Sequence, residues 1–390
     1  MIASAVPSGR RGARWHRMAG AVLVDTRWSV AVLVFGAVLR RDGRSLWFSL
    51  GACSIAAIVA AFQFAVYTSF LEAGAAAPRA LAADAWISES GIDCFDFPTP
   101  LADGYRGALL ADLPGARIER VVVGFTAWVS PQGRRGNVAL IGSDTAGLGP
   151  QQFRADVSDL QRLQLSRPDQ EASIGGVAVQ SSAAGNGLAT FLGAPYVVMA
   201  YDTAHAILHY PAETAAFLTV RFPAGAPVDL ARRLARIEAR FPELSARTAA
   251  DFEARSSAYW QNKTGAGLAI LLAAVLASLL MVLLLVNSVG RFVQRRQSDI
   301  VSMLGHGASA GQIQALLLAM AGSLIAASLA LTLICVPIVV AIASPWLPWV
   351  TVKAMDVGFA VAIAALCLVA SLVSARRELK RFPADAIFRS

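Results

Sequence analysis

GAGLAILLAAVLASLLMVLLLVNSVGRFVQRRQSDIVSMLGHGASAGQ, residues 265–312, is the stretch from which the fold class is read. Between Gly265 and Val289 the only strongly polar side chains are Ser278, Asn287 and Ser288. Roughly 25 helical residues at about 1.5 Å each reach about 37 Å, enough to cross a hydrocarbon core with some tilt. Arg291, Arg295 and Arg296 follow at once, the mark of a helix end on the cytoplasmic side. A second apolar run opens at Ile313. The stretch predicts a transmembrane hairpin whose cytoplasmic turn carries a small amphipathic element, and that turn is where the protein is expected to be driven.

The composition agrees with a membrane protein. Of the 390 residues 56% are apolar and only 15% charged, and the mean hydropathy is +0.55, too apolar for an ordinary soluble domain. A pI near 9.8 raises nucleic acid as a ligand. The basic residues, however, gather at the ends of apolar runs rather than interleaving with aromatics, so no nucleic-acid partner is expected. Between Glu72 and Thr264 the charge is nearly balanced and slightly acidic. That asymmetry is the positive-inside pattern, and it orients the chain with both termini cytoplasmic.

Residues 1–45 read as a cytoplasmic tail rich in arginine (Arg10, Arg11, Arg14, Arg17, Arg27), with no convincing cleavable signal. Within it, residues 28–39 are apolar but too short to span, and suit a helix lying at the inner interface; the rival reading is half of a re-entrant hairpin. The first span is expected over 46–71 and an extracytoplasmic domain over 72–264. The second span is placed at 265–290, the cytoplasmic turn at 291–312 and the third span at 313–343, with Pro337 expected to kink it. An outer loop at 344–356, a fourth span at 357–375 and a cytoplasmic tail at 376–390 complete the chain.

Inside the domain the patterning is α+β. Residues 99–113 suit a short helix stopped by Pro114-Gly115, and residues 118–129 and 137–141 suit two strands joined by a turn at 131–133. Further strands are expected at 176–180, 195–200 and 216–222. After Pro227, Leu230, Leu234, Ile237 and Phe241 recur at helical spacing, predicting a helix over 228–241 with one face on a sheet. The fold class is thus an α-helical membrane protein with four spans and an extracytoplasmic α+β domain, its sheet mostly antiparallel or mixed. Phe252, Tyr259 and Trp260 precede the second span, where aromatics more often form an interface belt than a binding site. Residues 251–263 are expected to run straight into that span as a rigid stalk.

This layout resembles the MacB, FtsX, lipoprotein-releasing and DevC-type permeases of ABC transporters, in which one span, a large outer domain and three spans follow one another. The resemblance covers essentially the whole chain. Its most specific residues lie in the turn, where Arg295-Arg296-Gln297-Ser298-Asp299-Ile300-Val301-Ser302-Met303-Leu304-Gly305-His306-Gly307-Ala308-Ser309 is similar to the family's R-R-x-E-I-x-x-L-x-A-L-G-A-S/T. It departs in having Asp299 for Glu and His306-Gly307 around the glycine. Phe382-Pro383-Ala384-Asp385-Ala386-Ile387 resembles the family's terminal P-x-x-A-[LI] segment. Trp86-Ile87-Ser88-Glu89, Phe95-Asp96-Phe97-Pro98, Tyr259-Trp260 and Thr264-Gly265-Ala266-Gly267 look DevC-like.

The resemblance implies an inner-membrane exporter subunit that pairs with a second permease copy as a homodimer and sits on a separate cytoplasmic ABC ATPase, with a periplasmic adaptor as a further partner. ATP and Mg would be bound by the ATPase, since no G-x-x-x-x-G-K-[ST] occurs here and this chain is not expected to be an enzyme. ATP-driven closure would be relayed to the outer domain as motion, and the lack of charges inside the four spans agrees. Asp299, Ile300, Met303, Leu304 and Gly305 are the coupling candidates. Ile300, Met303 and Leu304 form an i, i+3, i+4 apolar face able to seat in a groove on the ATPase; the plainer reading is a turn at the membrane surface. Two alternatives stay open: an FtsX-like transducer that activates an extracytoplasmic partner, and lipid or lipoprotein extraction.

Other chemistry is sparse. Asp202, His205 and His209 would share a helix face as metal ligands do, although a solvated face is the simpler account, and no metal is expected. Four histidines leave little for a Ser-His-Asp site. Cys53, Cys335 and Cys367 lie in apolar runs, and Cys94 reads as packed rather than reactive. Asn262-Lys263-Thr264 is a formal glycosylation sequon against the membrane, taken as accidental.

Overall fold

The computed structural model describes residues 43–380, so the expected interfacial helix at 28–39 and the terminal motif at 382–387 lie outside the described residues. Among the described residues four helices are long and apolar enough to cross a membrane: α1 (Gly43–Ala73), α8 (Ala266–Arg295), α10 (Ala310–Ala343) and α11 (Ala354–Lys380). A β-rich α+β domain lies between the first and second. By contacts the chain forms two compact units, 43–62 with 273–336 and 354–380, and 63–272 with 337–353.

In the helical unit small residues let the backbones approach. Cys53, Ala56 and Ala57 of α1 pack with Met281 and Leu285 of α8, Leu324 and Ile325 of α10, and Ala364 and Cys367 of α11. Without a hydrophobic driving force between helices in lipid, such packing and cross-helix hydrogen bonds carry association. Ser54 Oγ donates to Ser328 Oγ at 3.2 Å within this core.

The second unit is built on β1 (Ala85–Glu89), α3 (Tyr105–Asp112), β3 (Arg117–Val129), β10 (Phe217–Arg221), α6 (Leu230–Arg240) and β11 (Leu244–Thr248). The sheet order β11-β1-β10-β3, antiparallel throughout, makes this βαββαβ chain a ferredoxin-like split βαβ. Between β3 and β10 the chain inserts β4 (Arg135–Ser143), β5 (Gln152–Ala155), α4 (Leu160–Leu163), β6 (Glu171–Ile174), β7 (Val177–Ser181), β8 (Tyr196–Ala200) and α5 (Tyr201–Ile207). Order β3-β4-β8-β5-β7-β6, with β6 returning to Trp128 and Val129 of β3, closes a six-stranded ring. The 13-residue β3 serves both halves.

Strand alternation sorts side chains onto two buried faces. Ala85 and Ile87 of β1, Ile118 and Val122 of β3, and Leu218 and Val220 of β10 join a core closed by Leu109 of α3 and by Leu230, Leu234 and Ile237 of α6. Trp86, Val121, Val123 and Phe217 face the other way, with Phe95, Tyr196 and Phe252. There Trp86 stacks on Phe252 at 5.0 Å and Phe95 on Phe217 at 5.4 Å, an aromatic block of the offset and edge-on kind that adds to area burial.

Several expectations need correction. The helix expected over 99–113 begins only at Tyr105, because Leu101–Ala102 (β2) pairs with Thr214–Ala215 (β9). Six short strands, β1, β2, β5, β6, β9 and β11, lie outside the expected ones. The helix expected over 228–241 is Leu230–Arg240. The outer loop ends earlier than 356: α11 starts at Ala354, and Asp356 sits buried in its first turn. Residues 251–263 do not run straight into the second span. Ala249–Ala258 (α7) passes into a π-turn at Tyr259–Lys263, and Gly265, at φ +71°, breaks the helix before α8. Nor are the aromatics there an interface belt, since Phe252 and Trp260 are buried in the domain.

Gly142 of β4 shows how tightly the inserted helix α5 is docked. A Cβ there would meet the Cβ of Ala204 at 2.4 Å and Cγ2 of Val122 at 2.6 Å. Gly142→Ala is expected to destabilise the domain by about 1–3 kcal/mol through overpacking, read from chemical unfolding of the detergent-solubilised chain by tryptophan fluorescence.

Candidate functional site

Two places in the chain concentrate local order, and each is built from its own segment. The first is the turn between α8 and α10. Its helix, α9 (Gln297–Gly305), is terminated by Gly307 at φ +91°, where Gly307 N–H donates to Leu304 O at 3.0 Å and Ala308 N–H to Met303 O at 2.9 Å. That is a Schellman cap, and it gives the departing His306-Gly307 pair a local purpose. The next helix opens with a capping box. Ser309 N–H donates to Gln312 Oε1 at 2.8 Å, and Gln312 N–H donates to Ser309 Oγ at 3.3 Å. The link from α9 to α10 is therefore held by its own chain.

The five coupling candidates separate in this frame. Asp299 is exposed and accepts from Arg296 at 2.6 Å, across the first turn of α9. Met303 is half-buried and Gly305 is exposed at the last helical position. Ile300, only 4% exposed, packs with Val293, Ile313, Leu317 and Ala375, and Leu304 lies against the same cluster. Of the expected apolar face, Ile300 is thus packed against the chain's own helices, and Leu304 partly so. Asp299, Met303 and Gly305 remain available at the surface.

The second place is the base of the domain. Asp96, in the segment between β1 and α3, is buried and surrounded by neutral donors. It accepts a short hydrogen bond from the Tyr196 hydroxyl, one from Trp260 Nε1 at 3.0 Å, and a weak one from the Cys94 thiol at 3.6 Å. Burial raises its carboxyl above the ordinary value, with the Tyr196, Trp260 and Cys94 bonds pulling the other way. Burial, with the Asp96 charge beside it, also pushes the Cys94 thiol well up, so it is a packed cysteine poor in thiolate.

Trp260 is the hub of this base. It belongs to the π-turn, whose neighbours tie it to the end of α1: Gln261 Nε2 donates to the Tyr67 hydroxyl at 2.8 Å, and Ser257 Oγ donates to Leu71 O at 2.7 Å. Phe191, from the loop between β7 and β8, packs edge-on to Trp260 at 4.7 Å and lies 4.5 Å from Phe70 and 6.2 Å from Trp349. Lys353 pairs with Glu72 at 2.9 Å, and Ser69 Oγ donates to Thr351 O at 3.2 Å, so residues 337–353 join the same assembly. Sequence reasoning missed Asp96, Phe191 and Tyr196 as a group. The available signal was an acidic residue flanked by phenylalanines, Phe95-Asp96-Phe97.

The metal reading loses its geometric premise. α5 ends at Ile207, leaving His209 beyond it at φ +52°, off the face of His205. His205 Nε2 lies 3.1 Å from Pro211 O, and Asp202 pairs with Arg120 at 3.5 Å. Among the described residues no group of three His, Cys, Asp or Glu side chains is placed to hold a metal ion.

No family model matches this chain, and no curated protein matches it. Solved structures do. The periplasmic region of MacB from Actinobacillus actinomycetemcomitans aligns with 43% of this chain and 88% of its own length, at 9% identity and TM-score 0.32. The extracellular domain of the noncanonic ABC-type transporter YknZ from Gram-positive bacteria aligns with 43% of this chain and 99% of its own, at 7% identity and TM-score 0.30. A domain assigned to a permease from Porphyromonas gingivalis covers 42% and 88%, at 12% identity and TM-score 0.28. Similarities of this size do not define a family.

Removing the Asp96 carboxylate orphans the Tyr196 hydroxyl and the Trp260 N–H. Asp96→Ala is expected to cost about 1–3 kcal/mol per orphaned buried donor, and Asp96→Asn, which keeps one acceptor oxygen, to cost less. Unfolding curves of the two variants in detergent give the ranking.

Proposed function

We propose that this chain is the permease subunit of an ATP-driven ABC exporter of the MacB and FtsX kind, working by mechanical coupling across the inner membrane. The observation that carries the reading is the joint layout: four apolar helices, a folded domain between the first and second, and a rigidly capped helix at the basic turn between the second and third. A helix capped at its C-terminus, packed through Ile300 and presenting Asp299, Met303 and Gly305 outward is suited to being pushed. Hydrolysis belongs to a separate cytoplasmic ATPase that binds ATP and Mg, consistent with the missing phosphate-cradling motif here. Two copies of the permease pair as a homodimer, and a periplasmic adaptor extends the export path.

In this reading both termini are cytoplasmic and the α+β domain faces the other side. The turn receives the push, and Ile300 with its packed neighbours passes it to the helices. At the outer ends the π-turn and Trp260 receive the motion, in place of a continuous stalk. A DevC-like role agrees with Trp86 and Phe95 in one aromatic cluster and Phe97, Tyr259 and Trp260 in a second, with Asp96 bonded to Trp260 between them.

Affinity purification of the tagged chain in mild detergent is expected to bring down a nucleotide-binding subunit at about one per permease chain, as a one-to-one helix-in-groove contact requires. Met303→Glu, chosen because it spares the packing of Ile300 and Leu304, is expected to abolish coupled ATPase activity and leave the fold intact. A chain that purifies alone, or a Met303→Glu variant with unchanged ATPase coupling, would count against this reading.

A further inference from the structure

In the segment between β1 and α3, Phe97 faces away from its neighbours. Cys94 is 2% exposed, Phe95 0% and Asp96 4%, whereas Phe97 leaves 50% of its surface uncovered. The segment is not free to roll the ring inward. Asp96 is held by Tyr196 and Trp260, and Phe95 N–H donates to the buried Ser256 Oγ at 3.3 Å, so Phe97 is presented on a fixed support. One flank of its ring packs against Trp260 at 5.8 Å and Tyr259 at 6.1 Å between centroids. The other flank is bare.

On an aqueous surface one exposed phenylalanine is ordinary; what sets Phe97 apart is its place. Trp260 lies level with the end of α1, for a Cβ on Gly74, the residue after that helix, would meet Trp260 Cδ1 at 3.2 Å. Phe70 of α1, Ile270 of α8 and Trp349, between α10 and α11, belong to the same cluster as Trp260. Ile270 is already part of the apolar run of its span, and Leu268 beside it is 65% exposed. Phe97 is therefore one ring removed from residues at the ends of spanning helices. We propose that Phe97 is seated in the lipid interface at this end of the spans, so that the domain rests on phospholipid through a residue outside the spanning helices themselves.

Dimensions and chemistry fit a lipid surface. The headgroup layers add about 5–7 Å on each side of the hydrocarbon core. The 5.8 Å between the rings of Trp260 and Phe97 is of that size. Apolar side chains of interfacial elements bury about 5–10 Å into the boundary between headgroups and acyl chains. No charged side chain occurs between Asp96 and Asp103, and Pro98 and Pro100 carry no N–H, so this stretch has little to desolvate. Trp346, just beyond α10, is 75% exposed, as aromatics at a membrane–water interface are. The proposal rests on the four long helices spanning a bilayer. It depends neither on which side the domain occupies nor on an ATPase.

The test uses the whole chain in nanodiscs of phosphatidylcholine and phosphatidylglycerol, with a photoreactive benzoylphenylalanine placed in turn at positions 97, 276 and 132. Leu276, 56% exposed on α8, reports the hydrocarbon, and Gln132, exposed in the turn between β3 and β4, sets the background. After illumination, mass spectrometry is expected to find phospholipid adducts at 97 in a yield within a few-fold of that at 276 and well above that at 132. Adducts at 276 with none above background at 97 overturn the proposal. A cross-linked dimer through 97 overturns it too, and gives this face to a second copy. No adduct at 276 removes the spanning reading, and the proposal with it. Where the photoreactive group at 97 upsets folding, Phe97→Trp asks the same question. The emission it adds is expected to be quenched by lipids brominated on their acyl chains, and added emission that stays unquenched overturns the proposal.

Discussion

The hydrogen bond from the Trp260 indole to Asp96 is the contact on which the base of the domain depends. A carboxylate buried among aromatic rings is expensive unless its oxygens are occupied, and three neutral donors from three separate segments occupy them. Because Tyr196 begins β8, Trp260 lies in the π-turn and Asp96 follows β1, one acid fixes the ring, the turn and the ferredoxin-like sheet together. Phe191 then has a defined wall to pack against. Removing a single donor leaves the others in place, but removing the acid strands them all, which is the usual asymmetry of buried polar networks.

The turn at the opposite end of α8 is organised on another principle. Nothing there is a buried charge. Order comes from helix termini that satisfy their own backbone groups, a Schellman cap at Gly307 followed at once by a capping box at Ser309 and Gln312. Ile300 supplies the anchor. The same sequence positions that look like a docking face on a helical wheel are thus divided, one side spent on intramolecular packing and the other left to solvent. An amphipathic helix next to a membrane hairpin has two claimants for its apolar face, and periodicity alone does not say which one holds it.

Much of the architecture was legible in the sequence, and the reasons are physical. Long apolar runs bounded by arginine have few alternatives to spanning helices, and β-branched runs such as 118–129 declare themselves. The strands that escaped notice are those that periodicity cannot see. β1, Ala85–Glu89, is buried on both faces and so does not alternate, while β5 and β6 have four residues each. Closure of the ring depends on Trp128 and Val129 meeting β6, a pairing between distant residues that leaves no local trace. At the candidate sites, the composition of the turn was readable, but the burial of Ile300 was not. The aromatics before α8 looked like a membrane-interface belt because a belt and a domain core use the same residues.

The break at Gly265 has a mechanical consequence. A continuous α-helix is stiff in torsion, so twisting one end about its axis turns the other. A rod interrupted by a π-turn and a left-handed glycine behaves like a shaft with a universal joint. Around the joint, Trp260, Gln261 and Ser257 are tied to Asp96, Tyr67 and Leu71. The torsional constraint that an unbroken helix would impose between α7 and the first turns of α8 is therefore absent at this point of the chain.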